Sequence, residues 1–178
     1  LVAAGFRILE VTLNSPEPLE SVARLAERFG DVALVGAGTV TEAGQVDGVR
    51  AAGGRLLVTP QADPGVVRRA KELGLEVLAG FATPTEAFQV LRAGADALKL
   101  FPAEAHPPPV LRAIRAVLPR EVPILPVGSI VPPAMGAYWE AGADGFGLGS
   151  ALYRPGRAVV DVVAAAGDFL AAVRERGR

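Results

Sequence analysis

Short apolar runs and longer amphipathic segments alternate along the whole chain. The apolar runs are rich in Val, Leu and Ile, as is typical of strands that are buried on both faces of a sheet. Seven such runs are present, at residues 7–13, 32–36, 55–59, 76–80, 97–101, 123–127 and 145–148. Each is predicted to be a β-strand.

The amphipathic segments between these runs predict helices. They lie near residues 18–29, 42–52, 64–73, 84–93, 109–118 and 132–141, and a final helix is expected over 158–173. Several begin with proline, whose missing N–H is harmless in the first turn of a helix. Most end on an Ala-Gly or Leu-Gly pair, which is a typical helix stop. Strands that alternate with helices in this way imply a parallel sheet.

The number of units favours a (β/α)8 TIM barrel. A closed barrel needs eight strands and about 200 residues, and the 178-residue chain opens on Leu1-Val2-Ala3-Ala4-Gly5, which is typical of a helix end. We therefore expect an α/β barrel whose first strand and most of whose first helix lie outside this sequence. The alternative is an open, doubly wound sheet, but no G-x-G-x-x-G fingerprint follows the first strand. Residues 1–178 are expected to form a single domain.

Composition narrows the possible partners. The net charge is −1 and no basic run occurs, which argues against nucleic-acid binding. No apolar run is long enough to cross a membrane. The absence of cysteine excludes disulfides and thiolate metal sites. A soluble, cytoplasmic protein without nucleic-acid or membrane partners is the resulting expectation.

Lys99 is the most unusual residue of the predicted strands. It lies between Leu98 and Leu100, in a chain with only two lysines. Burial lowers the pKa of a lysine, and its free amine then attacks carbonyl groups. The alternative interpretation is a lysine whose amine reaches solvent or pairs with a carboxylate.

Further candidate residues lie near the carboxyl ends of other strands, where (β/α) barrels carry their chemistry. Glycine and serine follow the last two strands, at Gly128-Ser129 and Gly149-Ser150. Such loops offer backbone N–H groups to an anion such as phosphate, although they can also be simple tight turns.

Glu10, in the first strand, could move protons beside a reacting lysine. It could equally form an ion pair with Lys99 or Arg7. His106 is the only histidine and has no cluster of acidic residues around it. We therefore expect no metal site.

The motifs at these strand ends resemble those of a known family. Residues 9–13, 36–40, 98–104 and 149–150 are similar to the motifs of the 2-keto-3-deoxy-6-phosphogluconate/galactonate aldolases, which are class I Schiff-base enzymes on a (β/α) barrel. The resemblance covers essentially the whole chain. Residues 13–16 and 147–154 are more similar to the phosphogalactonate branch, because the phosphogluconate branch typically has arginine at the position of Asn14.

The resemblance implies a role for each candidate residue. Lys99 would form the imine with the keto substrate, and Glu10 would shuttle protons through a water. Thr39 and Pro60 would line the pyruvate end, Phe101 would pack beside the lysine, and Asn14 would lie where the other branch has its arginine. The phosphate would be held by Gly128, Ser129, Gly149 and Ser150, with Ser129 in place of a usual glycine. The implied ligand is a phosphorylated keto acid, with no cofactor, and the implied assembly is a homotrimer.

Three rival functions follow from the same residues. Within the aldolases, the substrate could be the 6-phosphogluconate derivative or 4-hydroxy-2-oxoglutarate. Outside them, a phosphosugar isomerase or epimerase would bind phosphate in similar loops without forming an imine. A non-catalytic barrel that only binds a phosphorylated ligand is the third possibility.

Overall fold

The computed structural model describes residues 1–176, which fall into two compact units. The first unit is Arg7–Lys99. The second joins Leu1–Phe6 to the chain from Leu100 onward. No helix within the described residues is long and apolar enough to span a membrane.

The first unit is built from parallel strands and the helices that connect them. Its strands β1 to β4 pair in chain order, and the N–H of Asp96, just before β5, donates to the carbonyl of Val77 in β4 at 3.0 Å. The last residue of β5, Leu100, belongs to the second unit. The strands are β1 Ile8–Thr12, β2 Leu34–Gly38, β3 Leu56–Val58, β4 Glu76–Phe81 and β5 Ala97–Leu100, and the helices are α1 Pro18–Phe29, α2 Ala43–Ala51, α3 Pro64–Glu72 and α4 Pro84–Arg92.

The second unit contains one strand, three α-helices and two 3₁₀ turns within the described residues. These elements are the turns Val2–Ala4 and Ala103–Ala105, strand β6 Ile124–Pro126, and helices α5 Pro108–Arg115, α6 Pro132–Glu140 and α7 Val159–Arg176. The N–H of Val127 donates to the carbonyl of Leu100 at 3.0 Å, and the carbonyl of Val127 accepts from the N–H of Ala103 at 2.8 Å. The end of β6 is therefore attached to the segment that follows β5.

Local sequence signals explain where the helices begin and end. The carboxylate of Asp63 accepts hydrogen bonds from the N–H groups of Gly65 and Val66 at the start of α3, and Thr83 and Glu86 form a capping box on α4. The predicted stop at Ala93-Gly94 is confirmed, since Gly94 follows α4 with φ 105°, a conformation that favours glycine.

The expectation of a seventh strand at residues 145–148 is wrong. Only an isolated parallel bridge between Val127 and Gly147 forms there. Glycine weakens strands because it has no side chain to pack and loses much conformational freedom. A Cβ on Gly147 would nevertheless overlap the side chain of Val127, so a larger residue here would force that side chain to shift.

Candidate active site

Lys99 lies in β5 with only 6% of its surface exposed. Burial lowers the pKa of its amine below the usual value of 10.5, and the negative charge of Glu10 acts in the opposite direction. The amine of the other lysine, Lys71, forms a salt bridge with the Asp96 carboxylate at 2.6 Å. The desolvated amine of Lys99 is therefore suited to attack a carbonyl carbon.

Glu10 lies in β1 and interacts electrostatically with Lys99. Glu10 is exposed when the whole residue is considered. Its carboxylate, however, lies close against β2, and a Cβ on Gly38 would overlap it. Desolvation raises the pKa of this carboxyl, and the positive charge of Lys99 partly offsets the rise. A carboxyl with a raised pKa beside an amine can both accept and return a proton.

Thr39 follows β2 directly and has a strained backbone. Its φ of 56° lies in the left-handed region, which β-branched residues rarely adopt. Such conformations cost of order 1–3 kcal/mol and are concentrated at functional sites. The strain therefore occurs at a residue that the family resemblance places at the pyruvate end of the site.

Pro60 is held in place by Thr59, a residue to which the sequence gave no role. The buried Thr59 hydroxyl donates to the carbonyl of Gln61 at 2.7 Å and accepts from the N–H of Gly80 at 2.9 Å. A Cβ on Gly80 would overlap the Pro60 backbone, so the end of β4 lies directly against Pro60. The available signal in the sequence was a threonine at the end of an apolar run.

Gly128 and Ser129 follow β6 with φ values of 121° and 47°. The Ser129 hydroxyl donates to the carboxylate of Glu104, and a Cβ on Gly128 would overlap that same carboxylate. The hydrogen bond from Ser129 lowers the pKa of Glu104. Ser129 was expected to help hold the phosphate, but its hydroxyl is bonded to Glu104. The sequence had given Glu104 no role.

Gly149 and Ser150 are exposed and open a tight turn. The N–H groups of Leu152 and Tyr153 both donate to the Gly149 carbonyl at 2.9 Å. The guanidinium of Arg157 also donates to the carbonyl of Ala151 at 2.7 Å. Within the described residues, no protein acceptor takes the N–H groups of Gly149 and Ser150, so both could donate hydrogen bonds to an anion.

The remaining predicted residues lie at strand ends. Asn14 is exposed in the turn after β1, and Phe101 follows β5 with 37% of its surface exposed. The ring nitrogen Nδ1 of His106 lies 2.9 Å from the carbonyl oxygen of Pro102. Within residues 1–176, no three His, Asp or Glu side chains are grouped so that they could hold a metal ion.

Each unit thus brings together part of the predicted site. In the first unit Lys99 interacts with Glu10, and Thr39 and Pro60 follow the neighbouring strands β2 and β3. In the second unit Gly128 and Ser129 follow β6, and the parallel bridge from Val127 to Gly147 leads to the Gly149-Ser150 turn.

Comparison with known proteins identifies the family. The family model "KDPG and KHG aldolase" matches residues 1–164. The chain belongs to the KDPG and KHG aldolase family. The 2-dehydro-3-deoxy-6-phosphogalactonate aldolase of Escherichia coli K12 is 43% identical to this chain over 175 residues, which are 98% of this chain and 85% of that relative.

Solved structures of this aldolase family agree with the fold expected from the sequence. A native KDPGal structure superposes with a TM-score of 0.96 at 43% identity, over 98% of this chain and 84% of that one. KDPG aldolase from Legionella pneumophila, with pyruvate captured as a covalent carbinolamine, gives a TM-score of 0.79 at 29% identity over 95% and 82% of the two chains. The prediction of a (β/α) barrel fold is confirmed.

Proposed function

We propose that this protein is a class I aldolase that cleaves 2-dehydro-3-deoxy-6-phosphogalactonate to pyruvate and glyceraldehyde 3-phosphate. The observation that carries the proposal is the buried Lys99 in β5, whose amine has a lowered pKa and interacts with Glu10. Membership of the aldolase family and 43% identity to the Escherichia coli phosphogalactonate aldolase support the same activity.

The reaction begins when the Lys99 amine attacks the C2 ketone of the substrate. Loss of water gives an imine, which accepts the electron pair of the C3–C4 bond as that bond breaks. Glu10 takes the C4 hydroxyl proton through a water, and glyceraldehyde 3-phosphate leaves. The enamine that remains is protonated at C3, and hydrolysis of the new imine releases pyruvate and restores the free amine of Lys99.

The other candidate residues bind the two ends of the substrate. Thr39, Pro60 and Phe101 line the pyruvate end, and Asn14 lies near it in the turn after β1. The backbone N–H groups of the glycine-serine loops hold the phosphate, through Gly128, Ser129, Gly149 and Ser150. The tight Gly149–Tyr153 turn supports this part of the proposal, because within the described residues no protein acceptor takes the N–H groups of Gly149 and Ser150.

Two observations support this choice of substrate, namely the sequence identity to known aldolases and the residue at position 14. The phosphogalactonate relative is 43% identical over 175 residues, whereas the 2-dehydro-3-deoxy-phosphogluconate aldolase of Zymomonas mobilis is 36% identical over 141 residues. Asn14 agrees with the phosphogalactonate branch. Cleavage rates measured on the two C4 epimers decide between this substrate and the phosphogluconate derivative.

We further propose a cytoplasmic homotrimer. Exposed apolar side chains on α7 support self-association, since Val159, Val160 and Val163 have 80%, 72% and 53% of their surface exposed. Light scattering at several protein concentrations tests this assembly, and a monomer throughout the range would contradict it.

Borohydride reduction in the presence of pyruvate tests the central claim. We expect a stable adduct at Lys99 in the native protein and in Lys71→Ala, a control that removes the other lysine. Lys99→Ala should form no adduct and should lose cleavage activity. Phosphate binding without any adduct would favour an isomerase, an epimerase or a non-catalytic barrel instead.

A further inference from the structure

The 3₁₀ turn Ala103–Ala105, which carries Glu104, is held from several sides within the second unit. The hydroxyl of Tyr138, on α6, donates to the carbonyl of Ala103 at 3.0 Å and lies 3.3 Å from that of His106. The N–H of Ala103 donates to the carbonyl of Val127 at the end of β6. The backbone of Glu104 is therefore fixed relative to the loop that follows β6.

From this fixed turn the Glu104 carboxylate reaches the Gly128-Ser129 loop. It accepts a hydrogen bond from the Ser129 hydroxyl and lies against the Cα of Gly128. Both loop residues have positive φ, which is unfavourable for serine. One oxygen of the Glu104 carboxylate thus accepts a hydrogen bond from the strained Ser129. The same carboxylate occupies the space that a side chain at residue 128 would need.

Two features argue that this contact shapes the loop rather than binding the ligand. A carboxylate repels a phosphate, so Glu104 is unsuited to contact the anion directly. Within residues 1–176, no protein acceptor takes the backbone N–H group of Ser129. That group is available for an anion once the loop backbone is held in its left-handed form.

We propose that Glu104 is a positioning residue that holds Gly128 and Ser129 in their left-handed conformation, so that the N–H group of Ser129 receives the phosphate of the keto acid. This inference rests on the proposed aldolase function. It assigns to Glu104 a role in binding the phosphorylated end of the substrate and none in the chemistry at Lys99.

Steady-state kinetics on Glu104 variants test the role. Glu104→Ala should raise the KM for the phosphorylated keto acid about tenfold, with little change in kcat, because one charge-assisted hydrogen bond is lost. Cleavage of the unphosphorylated keto acid should be unchanged. Glu104→Gln should stay near the native KM, because its amide oxygen can still accept from Ser129.

A rescue variant separates positioning from a general loss of structure. Glycine adopts positive φ without strain, so Ser129→Gly added to Glu104→Ala should recover most of the native KM. Glu121→Ala, which removes an exposed carboxylate elsewhere in the same unit, is the matched control and should leave the KM unchanged. Thermal melting of every variant checks the fold.

Three results would overturn the role of Glu104. They are an unchanged KM in Glu104→Ala, an equal loss with both substrates, and no recovery in the double variant. Failure of the aldolase proposal looks different, because the native protein itself would then form no borohydride adduct with pyruvate.

Discussion

The carboxylate of Glu10 lies so close to the Cα of Gly38 that a methyl group at residue 38 would overlap it. Gly38 ends β2, and its Cα faces Thr12 of β1 in the parallel register. The position of the proposed proton shuttle therefore depends on the absence of a side chain on the neighbouring strand.

Gly38→Ala should displace the Glu10 carboxylate and lower kcat by about 10- to 100-fold, since proton transfer depends strongly on geometry. Borohydride trapping of pyruvate at Lys99 should persist. The control is Gly44→Ala in α2, where an added Cβ meets nothing within 4 Å; its kcat should not change. A native kcat in Gly38→Ala would show that the position of Glu10 does not limit the rate.

Glu10→Gln should shift the pH dependence of imine formation to lower pH. The charge of Glu10 raises the pKa of the Lys99 amine, which burial otherwise lowers. Removing that charge leaves burial unopposed, so the free amine should form at a lower pH. The rate of reductive trapping with pyruvate, followed against pH, measures this shift. An upward shift would mean that the two groups are not coupled as described.

Lys99→Met should stabilise the protein by about 0.5–2 kcal/mol at neutral pH, because a buried cation is replaced by an apolar side chain of similar length. The folded-state pKa of Lys99 is lowered, so the unfolded chain binds the proton more tightly. Stability of the native protein should therefore rise as the pH rises toward the ordinary value of 10.5, and its difference from Lys99→Met should shrink.

Urea unfolding at several pH values measures that difference. Repeating the comparison of Lys99 with Lys99→Met in proteins that also carry Glu10→Gln removes the contribution of the Glu10 carboxylate to the difference in stability. A difference that is independent of pH would contradict the lowered pKa.

Thr59→Val should lower the free energy of unfolding by about 1–3 kcal/mol, because the buried N–H of Gly80 loses its acceptor. It should also loosen Pro60 and raise the KM for the keto acid. Thr59→Ser keeps the hydroxyl and should stay within about 1 kcal/mol of the native protein. If Thr59→Val is as stable as the native protein, the hydrogen bonds of the Thr59 hydroxyl do not contribute to stability.

Much of the fold could be predicted from the chain because each element carries its own signals. The apolar runs, the N-terminal prolines and the Ala-Gly stops placed six strands and seven helices near their observed bounds. The run at residues 145–148 was wrongly predicted to be a strand. It has apolar residues at strand spacing, but Gly145 and Gly147 alternate with them and weaken strand formation. Whether such a segment pairs over several residues depends on its neighbour, and here only one bridge to Val127 forms.

The sequence by itself determined the strand-helix alternation, the family and the exceptional position of Lys99 in an apolar strand. Only the tertiary structure decided which side chains meet. The crowding of Glu10 by Gly38, the hydrogen bond between Thr59 and Gly80, and the contact of Glu104 with Ser129 join residues 21 to 28 positions apart. Such contacts follow from strand register and loop conformation, which are set by packing across the sheet and leave no periodic signal along the chain.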